Sequence, residues 1–236
     1  MNYWTKRINN FNHELSKIKF MPPVDFVYNP LEYAKENYLE YLRLYGQGKK
    51  NTIFLGMNPG PWGMVQTGIP FGEIEIVKTW LNLNKSIHKP ANQHPKRPIM
   101  GLSCRRREIS GKRLWNWIKS RWNQPEDFFA DNFVANYCPL AFLEKGGRNR
   151  TPNRLKKVER EQLFQVCNKY LLELVEKMET EYIFGIGKFA VKRAEEALEG
   201  KNVKIHYLHH PSPANPVANK GWSQLAEKVF QEVKGN

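Results

Sequence analysis

The chain has 236 residues, 41% hydrophobic and 25% charged, which is enough to bury a substantial core without a metal or disulfide staple. Lys and Arg outnumber Asp and Glu by 37 to 23, so the formal charge of +14 points to a polyanionic partner, with DNA, RNA and an anionic membrane surface all open on charge alone. Three widely spaced cysteines without a CxxC exclude a disulfide framework and a zinc or iron-sulfur site, and no run approaches the roughly 18 apolar residues of a membrane span.

The N-terminal stretch "MNYWTKRINNFNHELSKIKF" is polar and lacks a secretory h-region, so a cytoplasmic protein is expected, nucleoid-associated in a bacterium or nuclear in a eukaryote. With no repeat and no low-complexity linker, residues 1–236 read as one domain. The first predicted strand is "TIFLGM" at 52–57, which runs into "NPGPWG". "NFVANYCPL" at 132–140 is a second, ending at a proline. Leu163, Cys167, Tyr170, Leu171, Leu174 and Met178 then recur at helical spacing. "EYIFGIG" at 181–187 is a third strand, and "KFAVKRAEEALEG" after it is a helix with a glycine suited to its C-terminal end. "GIGK" lacks the spacing of a phosphate loop and reads as a strand-to-helix turn. The fourth strand is "VKIHYLHHP" at 203–211. Strands alternating with helices predict an α/β fold, a three-layer α/β/α arrangement around a central, mainly parallel four-stranded sheet.

In such sheets ligands bind at the carboxyl ends of the strands. The unusual residues follow the strand ends: "NPGPWG", "NYCPL" and "HHPSPANP". The first loop holds no titratable side chain, so its chemistry falls to the Asn58 amide and to backbone groups brought close by glycine; Asn58 and Pro59 as simple turn formers stay open. His210 supplies one switchable group at a strand end, and Ser212 with nearby amides suits a phosphate, although an ordinary proline-rich turn fits that stretch too.

Taken together, "GMNPGPWGMVQTGIPFGE", "FVANYCPLAF", "GRNRTP" and "HPSPANPVANKGW", with "RREISGKRLW" between them, resemble the single-strand-selective monofunctional uracil-DNA glycosylases of the uracil-DNA glycosylase superfamily, from about Val24 to the C-terminus. The resemblance implies an enzyme of base excision repair that flips uracil, and 5-hydroxymethyluracil, out of single- and double-stranded DNA and hydrolyses the N-glycosidic bond without a lyase step. By the same carry-over, Asn58 positions the water and His210 donates to the uracil O2. Asn136 pairs with the Watson-Crick edge, Phe71 stacks on the base, and Met57, Gly60 and Met64 line the pocket. DNA contact falls to Arg148, Arg150, Arg154, Lys156 and Lys157 in the basic stretch 146–160, and to Ser212, Pro213, Ala214, Asn215 and Lys220 in a wedge loop. Ala214 stands where the family usually has Arg, which makes the plug smaller and uncharged and favours single-stranded substrate; Tyr137 and Trp62 are larger than is usual there.

No cofactor and no metal are expected, and the partner is DNA containing uracil or a modified uracil, met by a monomer. Two alternatives stand beside this reading: a glycosylase for deaminated purines such as xanthine or hypoxanthine, and a non-catalytic module that binds damaged DNA. The second has no need of both Asn58 and His210.

Overall fold

The computed structural model describes residues 3–235. Helix α1 (Tyr3–Ser16), strand β1 (Phe26–Tyr28) and helices α2 (Pro30–Tyr33) and α3 (Lys35–Tyr45) precede the main sheet. α2 starts where Asn29 accepts the Leu31 amide, with Pro30 in its first turn, a local signal for helix initiation. Strand β2 (Thr52–Gly56) leads into the short helices α4 (Met64–Thr67) and α5 (Ile74–Thr79). A long connection containing one 3-10 turn reaches α6 (Ile109–Arg121), then α7 (Pro125–Phe129) and β3 (Asn132–Asn136). Strands β4 (Ala141–Leu143) and β5 (Asn149–Arg150) come next, followed by α8 (Lys157–Met178), β6 (Tyr182–Ile186), α9 (Lys188–Ala197), β7 (Lys204–Leu208) and α10 (Trp222–Lys234).

The four strands read from the sequence form one parallel sheet in the order β3-β2-β6-β7. The register pairs Gly56 with Asn136, Leu55 with Gly185 and Ile186 with Leu208, so all four strands end on one edge and their following loops share a rim. The chain moves from β2 to β3 on one side and then to β6 on the other, which puts the topological switch at β2, beside the ligand-binding edge of such sheets.

Helices cover both faces. On one, Phe54 stacks on Phe184 at 5.3 Å and packs with Trp117 of α6, Phe128 of α7 and Phe230 of α10. On the other, Tyr41 of α3 lies 5.1 Å from Phe133 and donates its hydroxyl to the Val134 carbonyl at 2.9 Å, while Phe11 of α1 stacks on Tyr170 of α8 at 4.0 Å. Burial of these large rings is the main stabilising contribution, about 1.5–3 kcal/mol for each fully buried side chain. A second sheet, antiparallel in the order β1-β4-β5, has strands of only two or three residues. The run 132–140 predicted as one strand is shorter: β3 stops at Asn136, residues 137–140 form the turn after it, and the chain enters this smaller sheet again at Ala141. The fourth strand likewise ends at Leu208, leaving His209 and His210 to the loop. Among the described residues, no helix is long and apolar enough to cross a membrane.

Candidate active site

Beyond the sheet edge, β3 continues to clasp the loop that leaves β2. The Tyr137 amide donates to the Gly56 carbonyl and the Cys138 amide to that of Met57, both at 2.9 Å. Asn58 closes the clasp, its Nδ2 donating to the Leu140 carbonyl at 3.1 Å. Because that partner can only accept, the amide orientation is fixed and Oδ1 remains as an acceptor, suited to receiving a hydrogen bond from water.

His210 arrives from β7 on the other side. The Ser212 amide donates to its Nδ1 at 3.1 Å, so Nδ1 carries no proton and the neutral ring carries its proton on Nε2, as a donor. Burial pushes the His210 pKa below the usual 6.5, because charge on the ring loses its hydration there. Asn215 holds the same residue by donating to its carbonyl at 2.9 Å, and Gly187 at the end of β6 abuts the imidazole, where a Cβ would lie 3.4 Å from that of His210.

Between these two groups sit Asn136, Phe71 and Met64. The Asn136 Nδ2 rests 3.2 Å from the Met64 sulfur, a weak acceptor that a better one can displace. Phe71 has φ +54, which is rare for a bulky residue; its carbonyl is held by the Trp115 indole at 3.2 Å and the Glu73 amide at 2.8 Å, while its ring centroid lies 6.3 Å from that of His210. Strain of this kind persists where the surroundings over-determine it, commonly at functional sites. Gly56 makes the approach possible: a Cβ there would fall 2.3 Å from Asn136 Oδ1 and 2.5 Å from the Phe71 ring.

All seven residues named for the pocket from the sequence (Met57, Asn58, Gly60, Met64, Phe71, Asn136 and His210) line a single cavity of about 200 Å³. Pro61, Glu108, Ser110, Asn149 and Thr151 line it too and were missed. Burial pushes the Glu108 carboxyl above the usual carboxylate range, partly offset by the Ser110 hydroxyl and the Ser110 and Gly111 amides, which face it without completing a helix cap. Larger surface hollows, one against α1 and β1 and another between α6 and α10, gather no comparable set of convergent polar groups on strand ends, so the smaller cavity is the candidate site.

The basic stretch 146–160 reaches the cavity through β5, where Asn149 donates to the Pro59 carbonyl at 3.1 Å. Arg148, Arg154, Lys156 and Lys157 are exposed. Arg150 is half-buried and engaged, bonding Glu144 at 2.6 Å and the Arg154 carbonyl at 2.9 Å, so it braces the turn and has less freedom to meet a phosphate. In the loop after His210, Pro213 and Ala214 form an exposed tip, with Lys220 also exposed. Ser212 and Asn215 are partly buried; the Ser212 hydroxyl accepts the Ala214 amide at 3.2 Å, and Arg113 braces the loop by donating to the Pro211 carbonyl at 3.0 Å. A second basic group escaped the sequence reading: Arg105, Arg106 and Arg107 are exposed just before α6, and Arg106 lies 5.1 Å from the Trp62 ring, with Arg97 at 5.2 Å. The run of three arginines at 105–107 is the signal in the sequence, and the stretch "RREISGKRLW" begins inside it at Arg106.

Residues 44–234 match the model of the uracil DNA glycosylase superfamily. The chain is 45% identical over 224 residues to a single-strand selective monofunctional uracil-DNA glycosylase of Rattus norvegicus, covering 94% of this chain and 81% of the relative. It is equally similar to one of Bos taurus, covering 82% of that protein. The crystal structure of wild-type Pedobacter heparinus SMUG2 superposes with a TM-score of 0.66 at 19% identity, covering 99% of this chain and 98% of the other, which shows the shared fold.

Proposed function

Because the chain belongs to the single-strand-selective monofunctional uracil-DNA glycosylases of the uracil-DNA glycosylase superfamily, hydrolases of N-glycosyl bonds acting on uracil-containing DNA in base excision repair, we propose that its cavity holds the flipped base and that Asn58 and His210 carry the cleavage. The observation that carries this assignment is the convergence of both side chains, from the loops after β2 and β7, on one cavity of about 200 Å³.

Breaking the bond between C1′ and N1 leaves positive charge on the sugar and negative charge on the departing uracil, shared between its O2 and O4. A neutral His210 with its proton on Nε2 donates to O2, where negative charge grows, and stabilises the leaving anion without first losing a proton of its own to the medium. Asn58 accepts a hydrogen bond from the water that adds at C1′, fixing its position. An amide takes up no proton, so Asn58 contributes by placement and not as a base, and the proton the water sheds as it bonds to C1′ passes to the departing uracil anion, directly or through solvent. Asn136 exchanges its contact with the Met64 sulfur for the O4 of the base, while its Oδ1 accepts from N3-H. Cytosine presents the opposite pattern and leaves those groups unpaired, at about 1–3 kcal/mol each. Phe71 stacks on the ring face. The exposed tip Pro213–Ala214 enters the strand beside the flipped nucleotide, and the cations at 148 and 154–157 hold the flanking phosphates. A small, uncharged tip fills a duplex gap poorly and suits single-stranded DNA. 5-Hydroxymethyluracil belongs to the same substrate range.

End-labelled oligonucleotides carrying uracil, 5-hydroxymethyluracil, xanthine or no lesion, treated with the protein and then with alkali, test this. Breaks at uracil and 5-hydroxymethyluracil are expected. Breaks at xanthine with none at uracil would favour the purine reading, and none at any lesion would leave a binding module.

A further inference from the structure

Asn149 lines the base cavity, and the cleavage proposed above gives it no task. It comes from β5, and its Nδ2 donates to the Pro59 carbonyl at 3.1 Å, which fixes the amide with Oδ1 as a spare acceptor. Asn58 is held in the same way from the facing segment: it leaves β2 and donates to the Leu140 carbonyl, just ahead of β4. The two amides tie the same two segments together in opposite directions, and Asn149 is anchored on the residue that follows Asn58. Among the described residues, Asn149 Oδ1 is buried and has no hydrogen-bond partner. A few other buried side-chain atoms share that condition, but none of them belongs to a residue lining the cavity. An unpaired buried acceptor is costly, so at a binding site the missing donor is expected from what the site takes up. The flipped nucleotide offers few donors. Within a strand its sugar and phosphates have none, and the single N-H of uracil, at N3, is met by Asn136 in the reading above. Water is the donor that remains, and the reaction consumes one.

We infer that Asn149 is a second ligand of the attacking water, accepting one of its O-H groups while Asn58 accepts the other. The inference rests on the reading of this cavity as the base pocket and of Asn58 as the amide that holds the water. A water held by one hydrogen bond can still turn about it. Held by two, it has both hydrogens committed, and only its lone pairs are left to meet C1′. As the water oxygen bonds to C1′, the C1′-N1 bond breaks and its electron pair leaves with the base. Neither amide takes up a proton, which passes to the uracil anion, directly or through solvent. Methanol, with a single O-H, can satisfy one of the two amides but not both, so the pair of acceptors favours water over methanol as the group that captures the sugar.

Single-turnover excision from single-stranded uracil oligonucleotides in dilute methanol tests the proposal in the wild type, Asn149→Leu and Asn149→Ala. Hydrolysis leaves an abasic site that alkali breaks, whereas capture by methanol leaves a methyl glycoside that resists alkali, so uracil released in excess of strands broken measures the methanol share. Leucine nearly matches asparagine in size and lacks its acceptor, which separates loss of the hydrogen bond from added room; should it crowd the turn, alanine reads the same quantities. Both variants are expected to release uracil at least about fivefold more slowly, with DNA affinity little changed, and to raise the methanol share at least about threefold. Release at the wild-type rate in the alanine variant overturns the proposal. Slower release with the methanol share unchanged in both variants also overturns it and leaves Asn149 as a brace for the turn at Pro59. Failure of the wild type to release uracil at all would instead sink the base-pocket reading.

Discussion

The Ser212 amide fixes what His210 can do. By donating to Nδ1 it selects the tautomer with Nε2-H, and burial holds the ring pKa below 6.5, so both influences favour a neutral donor. As pH falls through 6.5, an ordinary histidine gains a proton, whereas His210 stays neutral until lower pH. The kcat/KM profile for uracil excision is therefore expected to remain level through pH 6.5 and to fall only on its acid side; a limb centred at 6.5 or above would contradict the assignment. Loss of His210 or Asn58 as alanine variants is expected to slow excision by at least about tenfold, equivalent to roughly 1.4 kcal/mol of barrier. At this scale the sequence was informative because Asn58 and His210 each stand in an unusual loop directly after an apolar strand. Glu108 was not legible as a site residue: it falls within "RREISGKRLW", at the end of a long connection that follows no strand, and the close approach of Gly60 and Gly63 shows where it sits.

At the scale of elements, the pocket depends on how α6 props the turn that carries Phe71. Trp115 donates to the Phe71 carbonyl, and Gly111, one turn earlier in the same helix, lets that carbonyl approach: a Cβ there would lie 2.0 Å from the Phe71 oxygen. Backbone must move to accept it. Gly111→Ala is expected to destabilise the protein by about 1–3 kcal/mol, read as a lower denaturation midpoint, and to slow uracil excision in the protein that remains folded. An unchanged midpoint would show that α6 and the turn are loosely coupled. The four parallel strands were readable because each is an apolar run closed by turn-forming residues. The β1-β4-β5 sheet was not, since strands of two or three residues leave no alternation to detect, and it is this sheet that carries Asn149 to the pocket.

Across the whole molecule, two exposed basic groups adjoin residues that line the cavity: the stretch around Arg148–Lys157, which contains Asn149 and Thr151, and Arg105–Arg107, which directly precede Glu108. A single strand crossing the pocket would meet both. Binding of uracil-containing single-stranded DNA is expected to weaken steeply with salt, and neutralising Arg148, Arg154, Lys156 and Lys157 should flatten the slope of log K against log salt by up to about 0.7 for each phosphate no longer neutralised. Arg150→Gln should instead lower stability more than slope, because its guanidinium already serves Glu144 and the Arg154 carbonyl. Equal slopes in the wild type and the fourfold variant would route the strand over Arg105–Arg107 alone.

The proposed cleavage requires Asn58 and His210 to act together on one base held between them. Single-turnover uracil excision, measured at saturating enzyme for the wild type, Asn58→Ala and His210→Ala with DNA affinity followed in parallel, tests that most directly. The expected result is a rate at least about tenfold lower in each variant, with binding little changed. Wild-type rates in both variants would contradict it.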